Sequence, residues 1–148
     1  MNIAAYFNTT KESEPLYHAI QSLNAGLEEG ELNDASIFYD DCGPNSIPAN
    51  FGFFDAIELW HYTGNLIATS VSTISKVTGV VNNFNKIYYH GWSADSNALS
   101  LIGISSDDSI TVICNSKNSK DEYTRLTGKE PQGVVENFNL QGIKKVIK

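Results

Sequence analysis

Met1-Asn2-Ile3-Ala4-Ala5-Tyr6-Phe7-Asn8-Thr9-Thr10-Lys11-Glu12-Ser13-Glu14-Pro15-Leu16 opens the chain and decides how the rest of it is read. Ile3 to Phe7 is apolar at every position, as in a strand covered on both faces. After the polar turn Asn8-Thr9-Thr10 comes a helix start, with Ser13 as the cap, Pro15 in the first turn and Glu14 near the positive end of the helix dipole. Leu16, Ile20, Leu23 and Leu27 then recur at spacings of 4, 3 and 4, which is one helical face, and Gly30 closes the unit. A buried strand running straight into an amphipathic helix is the first half of a βαβ unit.

The same alternation continues outward. Ala35 to Tyr39 reads as a second strand, ending in the turn residues Asp40-Asp41-Cys42-Gly43-Pro44. Residues 45–64 give no settled conformation, although Phe51, Phe53 and Phe54 argue for a segment pinned to the core and Asp55 to Trp60 fits a short helix. Further strands are predicted at Leu66 to Thr69, Lys86 to Tyr89, Ile110 to Cys114 and Gly133 to Val135. Ser70 or Ser72 caps a helix with Val71, Ile74, Val77 or Thr78, and Val81 on one side. Ser93 to Ser106 reads as a polar loop enclosing the apolar run Leu99, Leu101, Ile102 and Ile104. Ser119 and Glu122 have the spacing of a capping box for a short helix that Gly128 ends. From Asn139 a final amphipathic turn or two carries Leu140, Ile143 and Ile147 inward. Strands alternating with helices predict an α/β, three-layer Rossmann-like domain with a mainly parallel sheet of about six strands.

The chain's 148 residues, 41% of them hydrophobic and 18% charged, suit one domain with its own core, residues 1–148. No apolar run nears the roughly 18 residues that span a bilayer, and the start lacks a basic region and a long apolar stretch, so a cytoplasmic protein without a membrane partner is expected. Cys42 and Cys114 are then expected as free thiols. Residues 1–116 carry 3 basic and 13 acidic side chains, and residues 117–148 carry 7 and 4. An acidic body with a basic tail disfavours nucleic acid as a partner.

Ligands of open parallel sheets bind outside the carboxyl ends of the strands. That rule nominates Asn8 and Thr9, Asp40 to Cys42, Thr69 and Ser70, His90 to Trp92, Asn115 and Ser116, and Glu136 and Asn137. The first strand–helix turn holds no glycine, which removes the dinucleotide fingerprint, and no Walker loop exists. Flavin is not expected, and no cofactor or metal is. Adjacent carboxylates at a strand end point to opposite sides, so one of Asp40 and Asp41 caps a turn and Asp41 is carried as a candidate contact. His90 is the candidate catalytic residue, as a general base. Trp92 is the candidate stacking surface for a sugar ring. The plainer alternative is that both pack the loop.

The run Ser109-Ile110-Thr111-Val112-Ile113-Cys114-Asn115-Ser116, the helix Lys120 to Thr127, Gly128, and Gly133-Val134-Val135-Glu136-Asn137-Phe138-Asn139 resemble the amino-terminal domain of GT-B glycosyltransferases. Upstream, Gly64 to Ser70 and Lys86 to Trp92 are similar to earlier strand ends of glycosyltransferase-like proteins, short bacteriophage ones included. The likeness covers roughly residues 60–142 and is a pattern of strand ends. It implies a domain that binds a sugar or acceptor through Asn8, Thr9, Asp41, Ser70, Trp92, Ser116 and Asn137. In that family the nucleotide-sugar sits on a second domain, which would begin where this chain stops. The resemblance therefore implies incomplete catalysis, with a separate donor-binding protein or a homo-oligomer as partner. A non-enzymatic interaction module on the same fold is the other expectation.

Overall fold

A computed structural model describes residues 1–80 and 83–147. The opening apolar run forms β1 (Asn2–Thr9), in which Ile3 to Phe7 are all buried. The other strands are β2 (Asp34–Asp41), β3 (Gly52–Asp55), β4 (Gly64–Ala68), β5 (Phe84–His90), β6 (Ile110–Cys114) and β7 (Gly133–Val134). They form one sheet in the order β3-β2-β1-β4-β5-β6-β7, and every neighbouring pair is parallel. The expected α/β parallel-sheet class is what the chain adopts, with one strand more than predicted.

Two apolar layers cover this sheet. On one face, α1 (Glu14–Glu28) and α5 (Leu140–Ile147) pack Leu16, Ile20, Leu23 and Ile143 against Ile3, Ala5, Ile37, Ile67, Ile87 and Tyr89. On the other, α2 (Val71–Thr78), α3 (Ala98–Ser105) and α4 (Lys117–Thr127) pack Ile74, Val77, Leu101 and Tyr123 against Ala4, Tyr6, Leu66, Tyr88 and Val112. The alternation of Ala4 and Tyr6 with Ile3, Ala5 and Phe7 is the period-two rule at work on a doubly covered strand. From β1 the chain winds one way to β2 and β3. It then crosses to β4 on the other side of β1 and winds the opposite way to β7. The direction of winding reverses between β1 and β4.

Helix starts follow local chemistry. Ser13 caps α1 by accepting from the Leu16 amide at 3.3 Å, and Ser70 caps α2 in a reciprocal box with Thr73. The expected helix contact at Val81 lies outside the described residues. Two expectations are corrected. The stretch read as a polar loop holds α3, capped by Asn97 and Ser100; Leu101 and Ile104 are buried while Leu99 and Ile102 are exposed, so its apolar residues trace no single face. The box of α4 is Ser116 with Ser119, whose hydroxyls accept from each other's amides at 3.2 and 2.9 Å, so Ser119 is the third helical residue and not the cap. Gly128 ends that helix in the left-handed region, as expected.

The far edge is tied down by Tyr89. Its hydroxyl donates to the Val135 carbonyl and accepts from the Phe138 amide at 3.1 Å. Burial pushes this phenol well above its ordinary range, so it stays a donor. Both Asn137 and Phe138 lie at positive φ, of 51° and 57°, a region costly for a bulky side chain. Tyr89 supplies the bonds that hold the turn there. Tyr89→Phe leaves the buried Phe138 amide without its acceptor and should destabilise the domain by about 1–3 kcal/mol in urea unfolding. An unchanged midpoint would show that the turn holds itself.

Candidate functional site

At the reversal point, the carboxyl ends of β1 and β4 diverge and leave a crevice of about 520 Å³. Phe7, Asn8, Thr9, Ser13, Ser70 and Trp92 line it, with Lys11 and Glu12 among the remaining wall residues. Such a crevice is the place where open α/β sheets take their ligands. Four of the residues nominated from strand ends, Asn8, Thr9, Thr69 and Ser70, meet Trp92 here.

Asn8 proves to be a brace. Its Oδ1 accepts from the Ser70 hydroxyl at 2.9 Å, and its Nδ2 donates to Ser72 at 2.6 Å and Asp40 at 3.3 Å. Asp40 also accepts from the Tyr6 hydroxyl and from Lys76 at 2.8 Å. Both donors of the Asn8 amide and one acceptor site of its oxygen are thereby committed to joining β1, β2 and the start of α2. The turn below is fixed as firmly, because the Thr10 hydroxyl accepts from the Gly43 amide at 2.7 Å and donates to its carbonyl at 3.1 Å. The hydroxyls of Thr9, Ser13 and Ser70 therefore stand on a rigid rim.

Trp92 reaches the crevice because of Gly91. In a regular strand, residue 92 would share a face with His90. Gly91 has φ of 110°, a conformation a side chain would strain, and its missing Cβ would stand 3.0 Å from Ser119. The turn swings Trp92 across to the Tyr89 face. There its ring stacks on Tyr89 at 4.3 Å, on Phe138 at 5.7 Å and on Phe7 at 6.1 Å. Half-buried and held by three rings, the indole is a rigid apolar wall.

His90 stays on the opposite face, 2% exposed, in a neighbouring cavity of about 450 Å³ with Ser116, Ser119 and Glu122, which shares Ser93 and Ala94 with the crevice. Its Nδ1 lies 3.1 Å from the Tyr88 hydroxyl and its Nε2 lies 3.0 Å from Glu122. A neutral ring that accepts from Tyr88 and donates to Glu122 satisfies both contacts. Both nitrogens are engaged, and Glu122, with 48% of its side chain exposed, is the member that meets solvent. The base and the stacking surface predicted together thus occupy different cavities. Ser116 shares the histidine's cavity, where its hydroxyl caps α4. Asp41 is exposed and lines none of these cavities, its carbonyl accepting from the Thr10 amide at 3.1 Å. Asn137 lies with Trp92 in a small compartment beyond the crevice.

Sequence reading missed Asp95. Its two carboxylate oxygens accept from the Val71 and Ser72 amides, each at 3.1 Å, and Ser93 donates to it at 2.8 Å. Partial burial works to raise its pKa, but the bonds from Val71, Ser93 and Ser72 outweigh it and hold the carboxyl below the usual aspartate value. A helix amino terminus at a switch point is the usual seat of a phosphate. Here the chain's own carboxylate fills it, and Lys11 is the one cation among the lining residues described. No family model, curated protein or solved structure matches the chain.

A depressed folded pKa adds stability that is complete above the unfolded value and is lost as pH falls through the folded one. Asp95→Asn should therefore cost about 1 kcal/mol at pH 7, the scale of a lost helix cap, less what solvent screening removes at this partly exposed group. The gap to the unaltered chain should close well below the ordinary aspartate pKa. Urea midpoints at pH 7 and pH 3 measure this, and an equal gap at both would contradict the role given to the charge.

Proposed function

We propose that the chain is a glycosyltransferase-like binding domain that takes an uncharged sugar or acceptor in the β1/β4 crevice, without completing a transfer reaction by itself. One observation carries this reading: the rigid indole of Trp92 lines the same 520 Å³ space as the exposed hydroxyl residues Thr9 and Ser13. A sugar ring offers an apolar C–H face for the indole and hydroxyls that both donate and accept, which is what serine and threonine also do. Charge supports the uncharged class. Asp95 occupies the α2 amides, Glu14 lies in the first turn of α1, and no glycine loop lets the backbone approach a phosphate. A nucleotide-sugar donor therefore has no cradle here, and no general base reaches the crevice from His90. Transfer would need a second protein, a further domain or another copy of the chain.

A second reading, the non-enzymatic interaction module, draws on a different surface. Phe54, Ile57 and Trp60 are 44%, 70% and 53% exposed beside the edge strand β3. That is an apolar cluster a partner could cover.

Titration calorimetry with neutral monosaccharides and with nucleotide-sugars separates the readings. A neutral monosaccharide should bind, Trp92→Ala should weaken it at least tenfold, and nucleotide-sugars should give neither tighter binding nor turnover. Trp92→Phe guards against a folding defect and should fall between. A chain that binds no sugar, but whose self-association changes with Ile57→Ser, would favour the module. Turnover by the isolated chain would overturn the claim of incomplete catalysis.

A further inference from the structure

The crevice does not end at Trp92. A compartment of about 230 Å³ lies on its far side, lined by Glu14, His18, Gly91, Asn115 and Asn137, with Pro15 and Trp92 as walls common to both spaces. Two rings, one indole and one pyrrolidine, thus separate two polar chambers.

The polar groups of the second chamber keep part of their hydrogen-bonding capacity free among the described residues. Asn115 uses its Oδ1 to accept from the Asn137 amide at 3.1 Å, and its Nδ2 makes no hydrogen bond among the described residues. The Asn137 side chain makes none there either. His18 Nε2 is 3.6 Å from Glu14, beyond a proper hydrogen bond. Holding Asn137 in place requires two consecutive residues at positive φ, pinned by Asn115 and by the Tyr89 hydroxyl. Backbone strain of this kind persists only where the surroundings over-determine it, and it gathers at ligand sites. Two carboxamides and an imidazole beside an apolar wall can both donate and accept, as the hydroxyls of a sugar ring do.

We infer that the two chambers are adjoining subsites, and that the ligand is a saccharide of at least two ring units straddling Trp92. This rests on the reading of the crevice as a sugar site and adds the length of the ligand to it. The first chamber, with its hydroxyl rim, holds one ring. The second holds the next ring through Asn115, Asn137 and His18.

The test compares glucose, galactose and N-acetylglucosamine with maltose, lactose and chitobiose by calorimetry on the full chain. At least one disaccharide should bind tenfold or more tightly than its own monosaccharide. Asn137→Gly keeps the left-handed backbone while removing the side chain, and His18→Ala changes a partly exposed helix position. Each should bring the disaccharide back to within about twofold of monosaccharide affinity and leave the monosaccharide unchanged, with the thermal midpoint as a control on folding. Monosaccharide binding with no gain for any disaccharide, or variants that weaken both alike, would overturn the second subsite and leave the crevice reading standing. Failure of every sugar to bind would overturn both.

Discussion

Burial of β1 on both faces constrains the rest of the molecule. A strand whose five central residues, Ile3 to Phe7, are all removed from water needs a helical layer on each side. With parallel strands and crossovers of one hand, both layers can be supplied only if the chain changes its direction of winding. It does so beside β1, where β2 lies on one flank and β4 on the other. The crossovers leave in opposite directions, and a gap opens above the strand ends. The crevice is a consequence of how the first strand is buried.

What fills the rim of that gap determines its chemistry. Asn8, Asp40, Lys76 and Ser72 form a polar brace that locks the β1 end to β2 and α2. Shared partners restrain one another, so these bonds together fix the rim more firmly than any one of them alone. Asp95 completes the arrangement from above, placing a negative charge where a phosphate would otherwise be stabilised. The aromatic wall is built from below by Phe7, Tyr89 and Phe138, all contributed by the core on which Trp92 rests. The proposal of a neutral, hydroxyl-rich ligand rests on this stiff apolar platform, the hydroxyl residues of the rim and the internal anion.

Much of the fold was legible in the sequence, because Ile3 to Phe7 is an unbroken apolar run, Ala35 to Tyr39 and Ile110 to Cys114 are each broken by a single hydroxyl residue, and Leu16 to Leu27 keeps a helical period. The strand-end rule also nominated Asn8, Thr9, Ser70 and Trp92, all of which line the crevice. The failures have physical causes. Leu99 and Ile102 face solvent, so α3 showed no periodicity to read. Ser116 and Ser119 are chemically alike, and only backbone geometry says which one caps α4. β3 is Gly52, Phe53, Phe54 and Asp55 at a sheet edge, with no alternation to read, and pairing and not composition makes the strand. His90 and Trp92 looked like partners because their spacing of two normally means one face; the positive φ of Gly91 separates them. Asp95 and Glu122 act through contacts 24 and 32 residues away in sequence, which no local pattern announces.

The central claim is that the β1/β4 crevice, and not the cavity around His90, is where this domain meets its ligand. Mapping amide and indole chemical shifts on the labelled chain during titration with a neutral sugar tests that claim most directly. The account predicts saturable shifts at Thr9 to Ser13, at Ser70 and at the Trp92 indole, while Ser116, Ser119, Glu122 and the Trp60 indole stay still. Shifts gathered around Ser116 to Glu122, or around Phe54 to Trp60, would contradict it.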